Sequence, residues 1–275
     1  LIIPQMIFSG VLIRFDHLNP QITPRYHVPL IGDLMASRWG FEALAVTQFR
    51  DNQVEEATYD INKEISALNY VKVYWIPEIE SVVNTLKLCI SCTRTETKYE
   101  ESASLLVSEL QNHDPLAGFD LFPNRDRMNA KNLDLDILED INNYLEDYRI
   151  KLNTEYLKRM ADRDGIINKL NSTYASEGGF NGLKILETNK ALSDLVLNRK
   201  QINKIERYKN KLIQKVDPIY HDPMGFRAHF YAPKKLFFGS YLDTFWFNLF
   251  SIWMMTVSLV ISLRYDLLKK VYRPL

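Results

Sequence analysis

The longest apolar stretch of the sequence runs from Thr244 to Leu263 and reads TFWFNLFSIWMMTVSLVISL, without a charged residue, proline or glycine. A helix of about 20 residues is about 30 Å long, which matches the hydrocarbon thickness of a bilayer. Trp246 lies near one end of the stretch and Tyr265 follows the other, as is common for aromatic side chains at the headgroup level. The pattern predicts a membrane-spanning helix, with a helix buried in a soluble core as the alternative.

Basic residues follow this stretch, opposed only by Asp266; they are Arg264, Lys269, Lys270 and Arg273. Cytoplasmic flanks of membrane helices are enriched in Lys and Arg, so the pattern favours a cytoplasmic C-terminal end. The preference is small, because Arg227, Lys234 and Lys235 precede the stretch.

A second apolar run, residues 1–13, reads LIIPQMIFSGVLI and is too short to cross a bilayer alone. Pro4 and Gly10 within it favour a broken or re-entrant helix. Because no Lys or Arg precedes the run, it does not fit a secretory signal peptide. We expect the sequence to be a piece of a longer chain.

Residues 28–49 predict one or two short helices at the membrane interface. Apolar residues dominate this segment, but Asp33, Arg38 and Glu42 make a full crossing costly. Arg38 and Glu42 are four positions apart, so they can form an ion pair on one face of a helix.

Residues 50–230 have the polar composition of a soluble domain and predict mostly helices. Apolar residues recur at helical spacing over 61–68 and over 79–90, with a predicted break at Pro77. Proline and glycine in the segment 113–123 predict a loop.

Two long helices stand out in this domain, one over about 133–170 and one over about 183–216. Both have apolar residues at alternating spacings of three and four, and the glycine-rich segment 177–182 separates them. The start of the first helix is acidic and the end of the second is basic. An antiparallel, coiled-coil-like hairpin would bring these charges together, whereas two separate solvated helices are the alternative.

Sites of chemistry are sparse in the sequence. Cys89 and Cys92 form a lone C-x-x-C inside a helical pattern, which favours two packed side chains over a redox or zinc site. His221 and His229 lie in an irregular segment and match no metal-binding spacing. With no phosphate-binding loop and no nucleophile elbow in the sequence, we expect no catalytic site here. Lys plus Arg equal Asp plus Glu at 34 each, so charge does not favour a nucleic-acid partner.

Two N-terminal motifs resemble one family. The run IFSGVLI (residues 7–13) and the segment SRWGFEAL (residues 37–44) are similar to the end of the permease of ABC transporters of the ABCG (white and multidrug-resistance) class. In that family the Phe-Ser-Gly segment closes the fifth membrane helix, re-entrant helices follow, and an external loop leads to the sixth and last membrane helix. The resemblance covers about residues 1–52 by motif, and 240–272 by position and hydropathy.

The resemblance implies a multi-pass protein of the cell (inner) membrane, whose permease half pairs with a second half, as a homodimer. ATP and Mg²⁺ would bind a nucleotide-binding domain outside this sequence, which itself would hold no cofactor. Residues 1–52 would close a membrane helix and form the re-entrant helices, and 239–275 would form the last membrane helix and a cytoplasmic tail. Val11 and Leu12 would form an apolar gate on the substrate path, with Val11 smaller than the leucine usual in the family.

Residues 53–238 depart from the family by their length, and the expected topology makes them a helical extracytoplasmic domain with room for a protein partner. The predicted fold class is therefore mainly α, with membrane helices and an inserted helical domain. The predicted function is the membrane part of an ATP-driven exporter. The alternative is a membrane-anchored binding or signalling ectodomain that works through its helical hairpin.

Overall fold

The structure of the protein is a computed structural model that describes residues 2–10, 15, 26–91, 96–131, 133–223 and 225–266. The protein is mainly α-helical, as predicted, with two small antiparallel sheets. The chain forms two compact units. The first unit contains residues 1–52, 189–196 and 221–275, and the second contains residues 53–188 and 197–220.

The second unit has a layered helical core. Its elements are α4 (Gln53–Tyr70), α5 (Ile76–Ser91), α6 (Glu96–Asn112), α7 (Leu135–Thr173), α8 (Gly179–Glu187), β1 (Ile205–Tyr208) and β2 (Lys211–Gln214). Helices α4 and α5 both pack on α7, and α6 packs on α5. The predicted loop over 113–123 is confirmed, since no helix of the described chain includes these residues.

The first predicted long helix, over about 133–170, is confirmed by α7, which covers Leu135–Thr173. Asp134 caps its start, where one carboxylate oxygen accepts a hydrogen bond from the Ile137 amide at 2.8 Å. The predicted apolar stripe is buried and joins the core of the unit; its members are Leu138, Ile141, Leu145, Tyr148 and Leu152. The second half of the helix has mostly exposed side chains, so only the first half contributes to the core.

The second predicted long helix, over 183–216, is wrong. Helix α8 ends at Glu187, α9 (Lys190–Val196) is short, and Asn198 then takes a positive φ of 54°. Asparagine tolerates the left-handed conformation that ends a helix, and it is also a good residue for turns. The rest of the segment folds into the β1–β2 hairpin around Lys209 and Asn210.

The predicted charge pairing between the two helices is replaced by other pairs. Arg207 on β1 forms an ion pair with Glu78 on α5, and Lys215 lies 3.6 Å from Glu206. On α7, Glu139 pairs with Lys87 of α5 at 2.6 Å. The core formed by α4 and α5 therefore takes the place of the predicted hairpin partner.

The predicted helix break at Pro77 is a wide helical turn instead. Residues Val71–Trp75 form a π-helical turn that joins α4 directly to α5. The Ile76 amide donates to the Val71 carbonyl five residues back, and Pro77 follows it without interrupting the helix.

The first unit is built on a pair of packed helices. Helix α10 (Thr244–Arg264) packs along α3 (Ala36–Arg50), and the short α9 also packs on α3. Around this pair lie α1 (Ile2–Ile7), α2 (Leu30–Asp33), β3 (Lys234–Phe237) and β4 (Ser240–Asp243). The predicted interfacial segment 28–49 thus consists of two helices, α2 and α3, as its pattern indicated.

Candidate functional site

The first unit contains a buried ionic cluster centred on Glu42. On α3, Glu42 is fully buried and Arg38 is only 2% exposed, with 3.5 Å between Oε2 of Glu42 and Nη2 of Arg38. The structure therefore brings together the two residues that the sequence singles out for an ion pair. Both point into the unit rather than into solvent.

Both carboxylate oxygens of Glu42 are satisfied by groups from distant parts of the chain. Oε1 accepts hydrogen bonds from Lys235 Nζ at 2.7 Å and from the Tyr231 amide at 3.1 Å. Oε2 accepts a hydrogen bond from Asn248 Nδ2 at 2.9 Å. Lys235 lies on β3 and Asn248 on α10, so one carboxylate joins α3 to both elements.

The charge of Glu42 is stabilised in place. Burial alone would raise the pKa of this carboxyl, but Arg38 and Lys235, with the hydrogen bonds from Lys235 and Asn248, hold its pKa below the ordinary value. A carboxylate held ionised between two cations is poorly suited to proton transfer. The cluster is instead suited to fixing the position of α10 on α3.

Arg38 is less completely satisfied than Glu42. Its guanidinium lies 3.9 Å from the centre of the Trp39 ring, a cation–π contact, and its Nη1 is 3.8 Å from Oδ1 of Asp33. Among the described residues, its Nε and Nη1 have no hydrogen-bond partner, and neither has Oδ1 of Asn248. Asp33 also pairs with Arg227 at 2.8 Å, which extends the cluster toward the surface.

A second polar connection lies at the start of α10. Asp243 caps the helix, because its Oδ1 accepts a hydrogen bond from the Phe245 amide at 2.8 Å. Its Oδ2 forms an ion pair with Arg50 Nη1 at 2.6 Å, at the end of α3. Both buried residues of α10 lie near its beginning: Thr244 donates a hydrogen bond to the Ala232 carbonyl at 2.6 Å, and Asn248 connects the helix to α3.

The remainder of α10 presents apolar side chains outward. The helix has 21 residues. Its most apolar part has a mean hydropathy of 1.7, and only 6% of the residues in that part are buried. The large exposed side chains include Trp246, Phe250, Trp253, Met254, Leu259, Val260 and Leu263. By length and composition, α10 is the one helix in the described ranges that could cross a membrane.

Only some of the other residues singled out by sequence lie within the described structure. Val11, Leu12 and Cys92 lie outside the described residues. Cys89 is partly buried against the core of the second unit. His221 and His229 have ring centres 5.4 Å apart, and the described ranges contain no group of three or more His, Cys, Asp or Glu placed to hold a metal ion.

Lys235 and Asn248 were missed by sequence reasoning. Lys235 precedes the apolar stretch, and Asn248 lies inside it. A polar residue inside an otherwise apolar helix is the signal that could have singled out Asn248.

Comparison with protein-family models, with curated proteins and with solved structures finds no match.

Proposed function

We propose that this chain is the C-terminal permease part of an ABC exporter of the ABCG class, anchored in the membrane by α10. The observation that carries the proposal is the apolar surface that α10 leaves exposed outside its contact with α3. An uncovered apolar surface along a whole helix is unstable in water and stable in lipid. The alternative, a helix of a soluble core, would have most of its residues buried, whereas only 6% of the residues in the most apolar part of α10 are buried.

The polar interior of the first unit supports the same proposal. Ionisable groups near a membrane segment are costly unless they pair with each other and face other protein elements. Glu42 faces Lys235 and Asn248 in this way, on the side of α10 that contacts α3. Short helices α2 and α3, with this ion cluster turned inward, fit the re-entrant helices of the family that the sequence resembles.

The resemblance supplies the rest of the proposal. Two permease halves would form the substrate path, with Val11 and Leu12 as its apolar gate. A nucleotide-binding domain would hydrolyse ATP and would hold the Mg²⁺. Residues 53–238 would lie outside the cytoplasm and offer a surface to a protein partner.

The alternative of a membrane-anchored binding or signalling ectodomain loses its main feature. It depended on a helical hairpin as the working element, and residues 183–216 form two short helices and a β-hairpin instead. Helix α7 contributes its first half to the core of the second unit, so it is not a free arm over its whole length.

Three experiments test the proposal, one each for the span, for transport and for orientation. For the span, Leu259→Arg places a charge on the exposed face of α10, and the matched control Leu157→Arg changes a leucine of nearly the same exposure on α7. If α10 crosses the membrane, only the first variant should reduce the amount of protein recovered in the membrane fraction, since an arginine in the hydrocarbon region costs up to about 3 kcal/mol. Equal behaviour of the two variants would contradict the span.

For transport, the natural protein is purified through a tag placed after Leu275 and assayed for ATP hydrolysis. An exporter predicts hydrolysis by the purified complex that stops when the Walker lysine of its nucleotide-binding subunit or domain is replaced. A pure complex that binds no ATP would contradict the exporter while leaving the span intact.

For orientation, a cysteine introduced by Ser176→Cys should be labelled from outside intact cells. The absence of labelling would reverse the expected orientation.

A further inference from the structure

The β3–β4 hairpin has an unusual tip. The strands pair through Phe237 opposite Ser240, so Phe238 and Gly239 form a two-residue turn. Both have positive φ values, 46° and 82°. Turns of this kind strongly favour Asn, Asp or Gly at the first position, because a side chain with a bulky Cβ substituent is strained there.

Within the described chain, the Phe238 ring meets the edge of the neighbouring Phe237 ring, with centres 4.5 Å apart, and this contact leaves it exposed. Its side chain is 93% exposed, the highest exposure of any large apolar residue in the described ranges. A phenylalanine that is strained and also faces water is doubly unfavourable, so its presence favours a partner outside the chain.

Neighbouring aromatic residues extend this exposed tip into a patch. Phe226 is exposed and its ring centre lies 6.2 Å from that of Phe237. Tyr241 on β4 and Trp246 on α10 are exposed as well. The seven residues LFFGSYL, positions 236–242, include no charge, and the hairpin's charged residues stand at its base.

The hairpin folds back beside the beginning of α10. Phe237, next to the tip, has its ring centre 5.6 Å from that of Phe247, which is in the first turn of the helix. Because β4 leads directly into α10, the tip would otherwise extend away from the helix. The contact instead places the tip at about the level where α10 begins.

The β1–β2 hairpin of the second unit is a natural control. It also has a two-residue turn between paired strands, formed by Lys209 and Asn210. Lys209 has a positive φ of 53°, but its side chain is charged and exposed. The two hairpins share their size and a positive φ at the same turn position, and they differ in the polarity of the tip.

We infer that the β3–β4 tip inserts Phe238 into the headgroup region of the lipid bilayer, beside the entry point of α10. This inference rests on the proposed span. A lipid surface is the occupant that fits, because the patch is continuous with the uncovered surface of α10 and because aromatic side chains favour the bilayer interface. Strand β3 would then contain Lys235 of the buried cluster and lead directly to the inserted tip.

Depth-dependent fluorescence quenching tests the inference. Cys89 and Cys92 are replaced by Ser, and single cysteines are placed at Phe238, Lys209 or Val257 in the otherwise complete protein. Each is labelled with the fluorophore NBD and reconstituted into phosphatidylcholine vesicles that carry a nitroxide either near the headgroup or deep in the acyl chain.

The inference predicts a blue-shifted label at 238 that loses most of its emission to the shallow nitroxide and less to the deep one. The label at 257 should lose most of its emission to the deep nitroxide, and the label at 209 should lose emission to neither nitroxide. Quenching at 257 with none at 238 would overturn the inserted tip and preserve the span. A blue shift at 238 without quenching would assign the tip to protein contact, which also overturns it, and no quenching at 257 would overturn the span itself.

Discussion

Both units bury apolar residues, but they differ in where most of their charged side chains lie and in how much apolar surface they expose. In the second unit, a core of Leu, Ile and Val lies between the helices, and ion pairs such as Lys87 with Glu139 lie on the surface. In the first unit, Arg38, Glu42 and Lys235 are buried, whereas the apolar side chains of α10 face outward. The first arrangement suits a protein surrounded by water, and the second suits one surrounded by lipid.

If α10 spans the membrane as proposed, the same residue type would have a different role in each unit. A leucine in α7 stabilises the fold by leaving water, and a leucine in α10 has no interior to enter. Conversely, an ion pair adds little at a wet surface, but a buried ion pair cannot lose one partner without a large cost. Matched substitutions in the two units should therefore give unequal effects.

The largest difference is expected for the removal of a carboxylate charge. Glu42→Gln removes the carboxylate that pairs with both Arg38 and Lys235 and leaves Arg38 only its longer contact with Asp33, which should cost about 3–5 kcal/mol in the free energy of unfolding. The control Glu139→Gln removes one partner of an exposed pair and should cost less than about 1 kcal/mol. Thermal unfolding in detergent measures both, and equal shifts in the melting temperature would show that the Glu42 cluster is not a buried support.

Truncation of apolar residues should give the opposite order between the units. Leu145→Ala removes a fully buried side chain from the core of the second unit and should cost about 3 kcal/mol. Val257→Ala removes an exposed side chain of α10 and should cost less than about 1 kcal/mol in detergent. Denaturant titration compares them; a large loss for Val257→Ala would indicate that a protein surface covers α10.

His113 should make the second unit sensitive to acid. Burial lowers the pKa of His113 to about 4, with Asp114 opposing, while the ring stacks on Trp75 with centres 4.0 Å apart. Between pH 6.5 and pH 4 the unfolded chain therefore binds the proton more readily, so the free energy of unfolding falls as the pH falls. The loss amounts to at most about 3 kcal/mol.

The variant His113→Phe keeps a ring on Trp75 and should lose less stability than the natural chain over that pH range. Direct comparison is needed, because burial raises the pKa values of Glu55, Glu109 and Asp217, whose protonation changes stability in the opposite direction. Parallel pH slopes for the two proteins in urea titrations would rule out His113 as the source of acid sensitivity.

The smallest effects are expected at the two helix caps. Asp134→Ala removes only the capping hydrogen bond of α7 and should cost about 1 kcal/mol. Asp243→Ala removes the cap of α10 and also the ion pair with Arg50, so it should cost more. Melting temperatures of the two variants test the order, and the reverse order would show that the Arg50 pair adds nothing.

The sequence predicted well the elements whose signal is local. The stripe from Leu138 to Leu152 and the apolar stretch after Thr244 both stand out because many successive positions agree. The ion pair of Arg38 with Glu42 follows from a spacing of four. Each of these needs only neighbouring residues, which a single sequence contains.

Features that depend on distant residues were not predictable in this way. Lys235 and Asn248 meet Glu42 from about 200 positions away, and no local pattern connects them. The β1–β2 hairpin was hidden because Lys209 and Asn210 are a weaker turn signal than Asn-Gly, and the flanking residues also fit a helical period. This missed turn accounts for residues 205–214 of the wrong helix, while the earlier part is interrupted after Glu187 and at Asn198.

The wide turn at Val71–Trp75 has a consequence for how the chain tolerates proline. In a regular helix, the ring of Pro77 would collide with a carbonyl one turn earlier and force a kink. Here the hydrogen bond before Pro77 runs from the Ile76 amide to the Val71 carbonyl five residues back, and α4 continues into α5 without a break. Deleting one residue from this turn would restore the regular helical spacing and, with it, the expected clash between the Pro77 ring and the backbone one turn earlier.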